Sequence, residues 1–437
     1  MSYKNNASID KIRLFRIGQL SIFTIGLAFA IRATIAPDLQ TDIYNYLDLA
    51  NSATMVGEAL GLTFAGFAFT LLFGSALIDW VGIKIMLLFS ALSYLLGSGL
   101  ILAASLMPVT PMVSSLVLAG LLLTGLGWGA VEAASNPMVA SIYPEEKTHR
   151  FNILHAWFPG GIVVGGLAGF ALATAGLAWQ WNIVLLIIPS LVLAWLVASS
   201  EFPVTERVAA GISYGGMFKE LLHQPLFWVF WCCMFATAIS ELAPGQWVNL
   251  SLSKVVGIQG ILLLVYVRVL MFVMRHFSGP VVNKISPIGL LWFSSVFAAL
   301  GLYCLSIATS PLPAFGAATI WAIGVCYMWP TMLATVSDRF PKGGALMLGL
   351  MGFAGGMAIQ FVLPKMGQIF DTAKIEAGGG VEALALLSGA ELDSVLRFAS
   401  QQSFQTVVYV PLFLLPVFGL IWWLDRRSTV TDSVAKS

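Results

Sequence analysis

Twelve stretches of this chain are each long and apolar enough to cross a lipid bilayer, and that decides the fold class before any motif is read. They lie at about 17–36, 54–79, 84–106, 110–142, 150–175, 178–199, 225–250, 257–283, 287–309, 312–336, 343–364 and 404–424. A helix needs about 20 residues to span the hydrocarbon core, and in lipid it satisfies its backbone polar groups within its own segment. The chain is 58% hydrophobic and 10% charged, whereas soluble domains carry about 25% charged residues. An all-α integral membrane protein of twelve transmembrane helices is expected.

A polar connector at 200–224 splits the twelve spans into a bundle of six at 1–199 and a second at 225–437. A long extracytoplasmic loop is expected at 365–403, its stretch 381–399 having apolar residues at helical spacing. The polar, basic start runs straight into the first span, which reads as a retained helix. Lysine and arginine concentrate on one side of the spans: Lys4, Lys11, Arg13, Arg16, Lys84, Lys147, Arg150, Arg207, Lys219, Lys284, Arg339, Lys342, Arg426, Arg427 and Lys436. Only Lys254, Lys365, Lys374 and Arg397 lie opposite. Both termini are therefore expected in the cytoplasm, in a multi-pass protein of the inner membrane.

The richest stretch is 125–169. An apolar helix carries Glu132, breaks at Asn136-Pro137, and gives way to a charged turn and a second apolar helix bearing His155. Inserting an ionisable side chain at mid-membrane costs about 2.5–3.5 kcal/mol on insertion scales, so such a residue marks a functional site by default. Gly125, Trp128, Glu132 and Asn136 share one helix face, one wall of a transport cavity. Gly161, Gly165 and Gly169 recur every fourth residue and read as a close helix seam.

The halves echo one another. The turn GSALIDWVGIK at 74–84 matches SGPVVNKISPI at 278–288, and the fourth and tenth spans each carry a late proline, Pro137 and Pro330. Repeated six-helix units are typical of secondary transporters, whose sites lie near the midplane between repeats.

Asp79, Gly82 and Lys84 resemble the D-R-x-G-R-K signature of the major facilitator superfamily, with Trp80 and Ile83 where the family has arginine. The resemblance implies two pseudo-symmetric six-helix bundles, a monomer, and gating roles for Asp79 and Lys84. The run Glu132 to Pro137, the basic turn and FNILHAWF at 151–158 resemble the fucose–proton symporter group of sugar permeases. That likeness implies proton coupling and sugar binding at Glu132. The acidic residue this group carries in its first helix has no counterpart here. Arg32 stands near that depth, which resembles carriers of organic anions such as sugar acids.

Other candidates follow from charge inside apolar runs. Arg32 and Arg268 are substrate-site candidates, since a guanidinium suits carboxylates and sugar hydroxyls. Arg275 lies seven residues beyond Arg268 on the same face, nearer the cytoplasm, where with His276 it suits a gate. Glu241, with Gln246 and Trp247, is expected to line the outer half of the path, beside Pro244; Glu58 is a weaker candidate of the same kind. His155 is a proton-coupling candidate because histidine titrates near neutrality. Trp128 and Trp329 lie deep enough to stack on a sugar rather than anchor at the interface, while Trp157 stays open.

Net charge is +1, which implies no nucleic-acid partner. The four cysteines lack metal-ligand spacing, no G-x-x-x-x-G-K-[ST] phosphate loop is present, and no serine sits in a nucleophile elbow. No enzyme, metal site or cofactor is expected, and an ion or solute gradient must supply the energy. The reading is a proton-coupled symporter of a small sugar-like solute. An organic-anion symporter or exchanger is the alternative, and a multidrug exporter or a solute sensor fits less well.

Overall fold

The computed structural model describes residues 9–143, 147–204, 221–256, 259–276, 285–340 and 344–435, with backbone alone at 147–149, 151–152, 251–252, 254–256, 276, 337, 344–345 and 428–435. The described residues are helical nearly throughout. In the first half run α1 (Lys11–Leu39), α2 (Ser52–Val81), α3 (Ile83–Ser105), α4 (Pro111–Ile142), α5 (Lys147–Thr174) and α6 (Gln180–Ala198). In the second run α7 (Pro225–Val256), α8 (Gly260–His276), α9 (Pro287–Ile307), α10 (Pro311–Val325), α11 (Met328–Arg339), α12 (Gly344–Ala377), α13 (Val381–Leu386) and α14 (Gly389–Ala435). Eleven helical segments among the described residues are long and apolar enough to cross a membrane. The 17-residue α8 stands in the place of the eighth span, and α10 with α11 shares the tenth.

Local chemistry sets the element ends. Asp10 caps α1 by accepting the Arg13 N–H at 2.9 Å. The left-handed φ of +86° at Gly82 turns the chain sharply between α2 and α3, a conformation glycine adopts without strain. Before α2, Asp48 accepts from the backbone of Ala50 and Asn51 and from the Asn51 side chain. The Asn51 bond holds its carboxyl below the usual carboxylate range.

Packing repeats between the halves. In the first, α2 and α3 pack on α4, α1 on α5 and α3 on α6; in the second, α8 and α9 pack on α10, α7 on α12 and α9 on α14. The halves meet along α2–α12, α5–α8 and α1–α7. A two-fold exchange of the halves turns the first of these seams into the second and the third into itself. Small residues bring backbones together, as the 161–169 spacing leads one to expect. A Cβ on Gly161 would stand 2.2 Å from the Phe23 carbonyl oxygen, and one on Gly26 would stand 2.1 Å from that of Phe158.

Three features differ from the sequence reading. Segment 365–403 is not a loop: α12 runs through Pro364 to Ala377 and α14 begins at Gly389, leaving only a glycine turn and the short α13 between them. Its charged residues depress the hydropathy, yet Asp371 and Lys374 are buried and paired at 2.8 Å. The fourth span does not break at Asn136-Pro137, because α4 continues to Ile142 with Pro137 inside it. In the tenth span the interruption falls at Cys326-Tyr327, upstream of Pro330. Residues 205–220 of the connector, the His276 side chain and most of the 278–288 repeat lie outside the described residues.

Candidate functional site

Phe29, on α1, is fully buried at the centre of the candidate site. The Arg32 guanidinium stands over its ring at 6.0 Å and that of Arg268, from α8 in the other half, at 5.6 Å. Aromatic rings wall it in: Phe64, Trp128 and Phe158 lie within 6.4 Å of Phe29, and Trp128 packs on Phe67 at 4.5 Å. Arg32 also stands 5.6 Å over Trp128. Arg32 and Arg268 are 3% and 1% exposed, so both charges are withdrawn from water.

Their hydrogen bonds are incomplete. Arg32 Nε donates to Gln246 Oε1 at 3.4 Å, while its Nη2 has no acceptor. Arg268 Nη1 lies 3.1 Å from the Met271 sulfur and 3.7 Å from Glu241 Oε1, but its Nε and Nη2 have no acceptor. The indole Nε1 of Trp128 is also unpaired. A Cβ at Gly245 would stand 3.2 Å from Arg268 Nη2 and 3.5 Å from the Phe29 ring, so glycine lets α7 pass close to both. The unpaired groups on Arg32, Arg268 and Trp128 are donors, and beside them Glu241 Oε2 is an unpaired acceptor; buried polar groups are ordinarily hydrogen-bonded.

Glu241, Gln246 and Trp247 are all buried. Glu241 sits on α7, where Arg275 Nη2 donates to it at 3.3 Å and the backbone of Trp329 also faces it. Hydropathy position alone cannot foresee that pairing, because it joins α7 to α8. Gln246 bridges the halves, its Nε2 donating to the Phe29 carbonyl at 2.9 Å, and Asn249 donates to that of Thr34 at 3.0 Å. Sequence reasoning missed Asn249, which only its polarity inside an apolar run marked.

Two prolines explain further contacts. A proline lacks the N–H that would bond the carbonyl four residues earlier. Pro330 thus frees the Cys326 carbonyl, which accepts from Arg275 Nε at 3.1 Å, and Pro244 frees that of Ser240, which accepts from Trp321 Nε1 at 3.0 Å. Arg275 therefore fastens the tenth span's interruption to Glu241.

On the α4 side, Asn136 Nδ2 reaches both the carbonyl and a carboxylate oxygen of Glu132 at 3.3 Å, and His155 Nε2 lies 2.9 Å from Asn136 Oδ1. All three are half-buried. No ion pair joins Glu132 to Arg32 among the described residues; buried Tyr94 feels both charges. Trp329 is half-buried against Gly355 of α12. Trp157 is exposed, edge-on to Phe23, and Glu58 is exposed as well.

The motif residues sit away from this centre. Asp79 is half-buried in the last turn of α2, one turn beyond Ser75, which faces Gly349 of α12. Lys84 donates to the carbonyls of Ala198 and Ser200 at 2.8 and 3.0 Å, closing the end of α6 in its own half. A cavity of about 630 Å³ lies beyond Arg32 at the end opposite the start of α1, bordered by Thr34, Trp179, Asn182, Asn249 and Lys374.

With this geometry in place the comparisons decide the family. The Major Facilitator Superfamily profile matches residues 20–364. The chain belongs to this superfamily. Its members are transporters rather than enzymes, and the chain is a multi-pass membrane protein with their fold. It is similar to a D-xylose–proton symporter (14% identity, 89% of this chain and 96% of that one, TM-score 0.70). It is also similar to the E. coli xylose transporter in a partially occluded inward-open conformation (12%, 92% and 97%, TM-score 0.72). The E. coli fucose–proton symporter shares 15% identity over 92% and 99%, with TM-score 0.57. No curated protein sequence matches.

Proposed function

We propose that this superfamily member is a proton-coupled symporter of a small, sugar-like solute, and that the solute is a sugar acid or related carboxylate. The observation that carries the reading is the set of unpaired guanidinium N–H groups on Arg32 and Arg268, one from each half, over one aromatic floor. A carboxylate fits such donors with charge-assisted bonds, and Arg favours it through planar, two-pronged contact. Phe29, Trp128 and Phe158 offer faces for the apolar C–H side of a sugar ring. Neighbours named for xylose, fucose and nucleoside transport support a polar, ring-shaped solute.

Because one arginine comes from each half, the solute draws the bundles together as it binds, which suits alternating access. Glu132, which Asn136 links by hydrogen bonds to His155, is the proton-coupling residue of this reading. The halves are closed around Gln246 and Asn249, whereas α4 and α11 share no such seam among the described residues.

Proteoliposomes carrying an internal pH dye test the coupling. Adding D-glucuronate outside is expected to acidify the lumen with wild-type protein and not with Glu132→Gln. Unchanged acidification in that variant would remove Glu132 from the coupling role.

A further inference from the structure

At the end of the molecule opposite the start of α1, α2 begins without a cap of its own: Asn51, the residue before Ser52, makes no side-chain bond to the helix. The cap comes from the other half. Asp371 of α12 accepts the Ala53 N–H at 3.3 Å through one oxygen, and through the other the Thr54 N–H at 2.7 Å and the Thr54 hydroxyl at 2.8 Å. Lys374, one turn on, donates to Asp371 at 2.8 Å and to the Leu49 carbonyl at 3.1 Å. The aspartate is 2% exposed and the lysine 4%.

We propose that Asp371 and Lys374 are the outer latch of the transport cycle, a helix cap supplied across the bundle boundary that must release each time the halves part at this end. A carboxylate at the second and third N–H groups of a helix is the standard capping geometry, and the N-terminal end of the helix dipole favours a negative charge. The surrounding seam is tight. A Cβ on Gly367 would stand 2.4 Å from the Ala53 carbonyl, and one on Gly57 would stand 2.4 Å from that of Leu363, so these backbones touch. Farther along, Gly349 faces only the side chain of Ser75, at 3.4 Å. Parting the helices exposes the α2 N–H groups, the carboxylate and the ammonium together. All are strongly hydrated groups, so water stabilises the open state as the protein stabilises the closed one. Lys374 borders the outer cavity, which brings that cavity up to the latch.

The test uses full-length protein in which Cys232, Cys233, Cys304 and Cys326 are replaced by alanine. One spin-label pair goes at the exposed residues Leu106 and Leu386, near the latch end, and another at Ile85 and Leu424, near the other end. Asp371→Asn is expected to shift the ratio of closed to open molecules at the latch end about tenfold or more, the worth of a lost charged hydrogen bond, while the opposite pair moves closer. Thr54→Val, which removes one donor, is expected to shift both pairs in the same directions by less. A folded Asp371→Asn protein that melts lower with both distance distributions unchanged would reduce the pair to a static brace and overturn the proposal. If Asp371→Asn does not fold, unchanged distances in Thr54→Val overturn it.

Discussion

At the scale of single residues, Arg275 shows how one side chain can serve two needs created elsewhere. Pro330 leaves the Cys326 carbonyl without its helical partner, Glu241 is buried, and Arg275 donates to both. Arg275→Gln should lower stability by about 1.5–3 kcal/mol, the range for a bond to a charged group, read as a fall in melting temperature. Arg32→Gln has a different signature, because Arg32 has one long hydrogen bond and a nitrogen without an acceptor. It should leave melting nearly unchanged while weakening sugar-acid binding about tenfold to a hundredfold, measured by titration calorimetry. Arg32, Glu132, Glu241 and Arg268 were all legible in the sequence, since a charge inside an apolar run stands out. Their partners were not, because hydropathy reports depth and says nothing about which helix is adjacent.

At the scale of helices, what the sequence revealed depended on whether a segment's chemistry matched its surroundings. The glycine spacing at 161–169 marked a seam, and α5 meets α1 along it. Gly161→Val places atoms where the Phe23 carbonyl already lies, 2.2 Å from the position of a Cβ. Both helices must shift, and the yield of folded, monodisperse protein on size-exclusion chromatography should fall sharply. Segment 365–403 misled for the opposite reason. Its charges satisfy one another and the end of α2, so a helical stretch carries the composition of a loop. The turn ahead of α2 has a pH dependence with a definite sign. The lowered Asp48 carboxyl contributes stability that is present above the ordinary carboxylate value and lost only as pH falls through the lowered one. Amide exchange at Ala50 and Asn51 should therefore be protected at neutral pH, relative to intrinsic rates, and lose that protection only in acid.

At the scale of the whole molecule, the architecture was legible from twelve apolar spans and a six-and-six division. The two-fold relation of the halves shows more clearly in packing than in sequence, because helix seams can be kept by any small or apolar residues that fit. One buried arginine from each half, on α1 and on α8, stands over Phe29, and the account rests on what those two charges bind. The most direct test is thermal stabilisation of purified protein by matched sugars and sugar acids, D-glucose against D-glucuronate and D-gluconate, for wild type and Arg32→Gln. The account predicts that an acid raises the melting temperature of wild type, that its neutral counterpart does not, and that Arg32→Gln loses the response. Equal stabilisation of both proteins by a neutral sugar, with none from the acids, would contradict it.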